Sequence, residues 1–123
     1  MIFKTTTTML AFAMVLSGAA AHAHEGVGPH GGRLADTPKY HVELVVTNDT
    51  VDVFLSDKAS KPVPATGLTG LAIIVTGGAS ARIVLAGDGA KLSGKTTSKL
   101  PDIAKSVVQV KLGDGQTIQA SFD

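Results

Sequence analysis

The residues best suited to chemistry in this 123-residue chain are its four histidines, and they are crowded toward one end. His22, His24 and His30 fall close together, His41 follows, and no histidine comes after it. Imidazole is the commonest metal-ligating side chain, and histidines gathered beside carboxylates are the usual composition of a metal site. Glu25 and Glu43 are the nearby glutamates. His41 and Glu43 stand two residues apart in YHVELVVT, a stretch that alternates like a strand. On a strand such a pair projects to one side, roughly 6–7 Å apart along the backbone. That spacing lets both reach one ion, with His24 or His30 arriving from the Gly/Pro-rich segment before them.

The N-terminal residues bear on the ligand set. Lys4, the apolar run Met9–Ala20 and the A-x-A triplet Ala21-His22-Ala23 read as a secretory signal peptide over residues 1–23. The run is short for a bilayer span, so the expectation is a periplasmic protein without a membrane span after cleavage. The exported chain then begins at His24, which offers both its α-amine and its imidazole to an ion. Cleavage at the second A-x-A triplet, Ala19–Ala21, would instead expose His22-Ala23-His24, whose third-place histidine suits a square-planar nitrogen site. There is no cysteine, and all three methionines (Met1, Met9, Met14) lie in the leader. Without sulfur the chain is a poor Cu(I) site. Nitrogen and oxygen donors favour Cu(II), slightly ahead of Zn(II), with Ni(II) and Co(II) behind. No D-x-D-x-D-G loop points to calcium.

The elements that must position these side chains read as strands. Arg33–Asp36 is a short edge strand. In Tyr40–Thr47, Val42, Leu44 and Val46 share one face with Tyr40, and His41 and Glu43 take the other. Asn48-Asp49 turns the chain into Thr50–Ser56, with Val51, Val53 and Leu55 inward. Leu71–Thr76 and Ser80–Ala86 flank Gly77-Gly78, and Gly87-Asp88-Gly89 is a further turn before Ala90–Ser98. Ser106–Leu112 and Thr117–Phe122 close the chain around Gly113-Asp114-Gly115. No helical period follows the leader. The prediction is an all-β fold, an antiparallel β-sandwich of immunoglobulin-like size with seven or eight short strands, or alternatively a small β-barrel. Residues 33–123 form the single domain, preceded by a flexible His/Gly-rich arm over 24–32.

Bland readings exist for every candidate. Pro29-His30-Gly31-Gly32 is a turn by composition, with His30 a solvated spacer. His41 and Glu43 are then the wet face of an amphipathic strand. Lys91, Lys95 and Lys99 read as a solvated edge that resists aggregation. Eleven basic against ten acidic side chains leave no electrostatic footprint for nucleic acid. No G-x-S-x-G, H-E-x-x-H or P-loop occurs, so the expectation is a binding protein, not an enzyme. The alternative within that class is a β-sandwich module that binds a protein partner, its histidines incidental.

One stretch carries a resemblance. GPHGGRLADTPKYHVELVVTNDTVDVFLSD, residues 28–57, joins a Pro-His-Gly-Gly turn to a strand with a Glu-Leu pair and a second strand ending in Asp. Lys61-Pro62-Val63 follows. This resembles small exported bacterial proteins that carry a His-Gly-Gly motif, and the N-terminal extension of adaptor subunits of heavy-metal efflux pumps. The resemblance implies a periplasmic β-domain linked to metal resistance, handing ions to an efflux-system component. His30 and Glu43 stand at the motif positions, whereas His41 falls where the family often has another residue. The long hairpin and lipoyl-like parts of an adaptor have no counterpart here. The combined expectation is a periplasmic protein that buffers or delivers a divalent transition metal. Its ligands would be His24, His30 and His41, with Glu43 as a carboxylate ligand or an orienting group behind them.

Overall fold

Alternating β-branched and polar residues become eight strands: β1 (Arg33–Asp36), β2 (Tyr40–Thr47), β3 (Thr50–Asp57), β4 (Thr69–Thr76), β5 (Ala79–Asp88), β6 (Lys91–Lys95), β7 (Lys105–Lys111) and β8 (Thr117–Phe122). The structure, a computed structural model, describes residues 26–97, 99–101 and 105–123. The leader assigned to residues 1–23 lies outside these, and so do His24 and Glu25. Among the described residues no helix is long and apolar enough to cross a membrane.

Among the described residues all strand pairs are antiparallel, and they form a single sheet in the order β1-β2-β3-β6-β5-β4-β7-β8. The all-β prediction holds in its barrel form. A sandwich would need a break dividing the strands into two layers. Here β3 pairs with both β2 and β6, and β4 with both β5 and β7, so no break occurs. Strands β4 to β6 are joined by hairpins, and β7 returns to the far side of β4, which is a Greek key. The edge strands β1 and β8 meet through side chains. Arg33 donates to the Asp123 carbonyl at 3.1 Å, and its guanidinium lies 5.5 Å from the Phe122 ring centroid. The result is a nearly closed barrel.

The inward positions are those the alternation assigns. Val42, Leu44, Val51, Val53, Val108 and Val110 are at most 1 % exposed, and Ile118, Ala120 and Phe122 line the closing strand. The Asn48-Asp49 turn forms as read, with Asn48 at φ 54°. One turn shifts. β5 runs past Gly87 to Asp88 and reverses at Gly89-Ala90. Gly87 serves another purpose: a Cβ there would sit 1.7 Å from the Ala65 carbonyl oxygen, because the crossover from β3 to β4 lies against this strand. The Gly87 N–H donates to the Leu68 carbonyl at 2.8 Å and fixes that contact.

Composition alone makes residues 24–32 an arm, but from Gly26 onward the backbone is laid on the sheet. Val27 bridges Arg33, and the Leu34 N–H donates to the Gly26 carbonyl at 3.0 Å. The Gly28 N–H donates to the Gly32 carbonyl at 2.8 Å, closing a tight turn around His30.

Candidate functional site

Glu43 explains why that turn lies where it does. Strand alternation sends its side chain to the outer wall of the barrel, where a carboxylate is ordinarily wet. It is only 3 % exposed, because the turn covers it. Its Oε2 accepts from the His30 N–H at 2.9 Å and from the Gly32 N–H at 2.8 Å. Its Oε1 lies 2.7 Å from His30 Nδ1. Between the two donating amides stands Gly31 at φ +79°. A left-handed residue there aims the flanking N–H groups into one concavity, the arrangement that holds anions. The turn is therefore an anion nest occupied by the protein's own carboxylate. Gly28 belongs to the same fit, since a Cβ would fall 2.2 Å from Glu43 Cδ.

The His30 ring is fixed from a second side. It stacks on Phe54 with centroids 3.6 Å apart and planes 8° from parallel. Phe54 is the cross-strand partner of Glu43, so one row of the β2–β3 ladder supplies both the carboxylate and the platform. In a neutral imidazole, a carboxylate at Nδ1 selects the Nδ1–H tautomer and leaves the lone pair on Nε2. The His30 side chain is 48 % exposed.

His41 repeats the arrangement one row along. Asp36 lies opposite it in the β1–β2 ladder, and the Asp36 carboxylate contacts His41 Nδ1. Both side chains are partly exposed. The outer wall of β1–β3 thus carries two carboxylate–histidine pairs, Glu43–His30 and Asp36–His41.

Of the four sequence-derived ligands, His30 and Glu43 are in contact, His41 sits on the same wall with its own carboxylate, and His24 lies outside the described residues. Among the described residues, no group of three or more His, Cys, Asp or Glu side chains is arranged to hold a metal ion. No buried side-chain nitrogen or oxygen among them lacks a partner. Reasoning from sequence missed Asp36 and Phe54. The signal for Asp36 was the short connection between β1 and β2, which places it opposite His41. The signal for Phe54 was an aromatic ring at an outward strand position.

A cleft of about 230 Å³ opens at one end of the barrel, lined by Thr37–Tyr40 and Gln116–Gln119. It contains no histidine or carboxylate and is small for a substrate pocket. The chemistry is on the outer wall, not in this cleft. No protein-family model matches the chain, and no curated protein or solved structure matches it.

Proposed function

We propose that this chain is a periplasmic protein that binds a divalent transition-metal ion, Cu(II) ahead of Zn(II), for buffering or for delivery to an efflux-system component. The observation that supports this reading is the pair of carboxylate-oriented imidazoles on one wall, each with Nδ1 engaged and Nε2 left as a donor. Metal-ligating histidines ordinarily present this hydrogen-bonded form, because the carboxylate fixes the ring and raises its basicity. The donor set is nitrogen and oxygen only, which suits Cu(II) or Zn(II).

On this reading His30 and His41 each give one nitrogen through Nε2, and His24 with its α-amine completes the set. Both oxygens of Glu43 are already taken by the turn, which favours orientation of His30 over ligation. The experiment is calorimetric titration of the chain beginning at His24 with Cu(II) and with Zn(II). His30→Ala and His41→Ala are each expected to weaken binding at least tenfold, and removal of His24 to weaken it further. Unchanged affinity in both alanine variants overturns the proposal.

A further inference from the structure

The outward positions of β4, β5 and β7 have a different character from the histidine-bearing wall. Leu71, Ile73 and Val75 on β4, Val84 on β5 and Val107 on β7 all face outward. Register joins them: Leu71 lies beside Val84, and Ile73 beside Val107. Val84 is 76 % exposed and Val75 43 %. The solvent side of an antiparallel sheet is ordinarily polar, and a contiguous aliphatic patch there marks a contact surface. Three cations frame it. Arg82 lies beside Ile73, Lys105 beside Val75 and Lys111 beside Thr69. None of the three is in an ion pair among the described residues. The outward positions of these strands from Thr69 to Val75, Ser80 to Ala86 and Lys105 to Lys111 include no carboxylate.

We propose that this face docks the barrel on an anionic lipid surface. A second copy packed by two-fold symmetry would set cation against cation, which opposes self-association. A stable protein partner ordinarily covers roughly 800 Å² per side, about 20–30 residues; five aliphatic side chains framed by three cations are a smaller face than that. A bilayer needs less: shallow insertion of exposed aliphatic groups, and basic side chains near anionic headgroups. Each such cation strengthens binding about fivefold, and salt screens the effect.

The test is co-sedimentation of the chain beginning at His24 with phosphatidylglycerol-rich vesicles and, separately, with phosphatidylcholine vesicles. The ladders among the described residues lie between Arg33 and Phe122, so this chain includes them all. Binding is expected to the anionic vesicles only, to fall with added salt, and to weaken at least about fivefold in each of Val84→Asp, Arg82→Glu and Lys105→Glu. These exposed substitutions leave the core untouched, and circular dichroism confirms folding in each variant. The proposal is overturned by absence of binding to the anionic vesicles or by equal binding to both vesicle types. It is also overturned if folded variants bind like the parent, or if Val84→Asp instead abolishes a concentration-dependent dimer in analytical ultracentrifugation.

Discussion

Glu43 shows how one side chain can fix a loop, a ring and a tautomer together. A buried carboxylate is tolerated only when its oxygens are well satisfied, and here two amides and an imidazole do so. Glu43→Ala removes the acceptor of both amides and of the ring. At least one buried donor then loses its acceptor, at a cost of about 1–3 kcal/mol. The expected result in urea is a lower midpoint with an unchanged slope. Gly28→Ala reaches the same turn sterically, since its new Cβ would meet Glu43 Cδ at 2.2 Å. It should cost about 1–3 kcal/mol. If the metal reading holds, both substitutions also weaken metal binding through a loosened His30, while His41→Ala weakens it without lowering stability by more than about 1 kcal/mol. A Glu43→Ala protein as stable as the parent would mean that the turn is held by its backbone bonds alone.

At the scale of the element, alternation made most of the barrel legible. Val51, Val53 and Leu55 on β3 and Ile118, Ala120 and Phe122 on β8 are buried where period 2 puts them. The same rule misjudges Glu43, because it assigns a face and not what covers that face. The cover comes from Gly26–Gly32, whose composition has no period to read. Pairing partners were hidden for a similar reason. Asp36 meets His41 only because β1 and β2 are joined in a particular register, and the division between sandwich and barrel rests on which distant strands pair. Gly87 is a third case: it reads as a turn residue but marks where the β3–β4 crossover touches β5. Gly87→Ala should therefore destabilise by about 1–3 kcal/mol, because backbone at Ala65 must shift. Gly113→Ala is the matched control. It has open space and no left-handed backbone, so stability should hold or rise by up to about 1 kcal/mol. Thermal melts of the two variants separate packing from turn geometry.

For the molecule as a whole, the question is what closes the sheet. No cysteine is present to staple it, and β1 meets β8 through side chains. Phe122 carries two parts of that closure. Its ring is 3 % exposed in the core, and the Arg33 guanidinium lies over it. Phe122→Ala should cost about 3–5 kcal/mol, a large share of the roughly 5–15 kcal/mol available to a domain of this size. At about 4–8 °C per kcal/mol, the melting temperature should fall by at least about 12 °C. Phe122→Leu refills most of the volume but removes the aromatic face, so its smaller loss, about 1–2 kcal/mol, combines lost cation–π attraction with imperfect fit. The spacing between the two variants reports how much of the closure is core packing. If Phe122→Ala melts within about 3 °C of the parent, the seam contributes little, and the barrel is held by its seven ladders with β1 and β8 merely adjacent. A fall of the expected size instead means that the contact between the edge strands is part of the cooperative unit. The turn that holds His30 would then depend on the far end of the chain, because Arg33 both follows that turn and reaches Asp123.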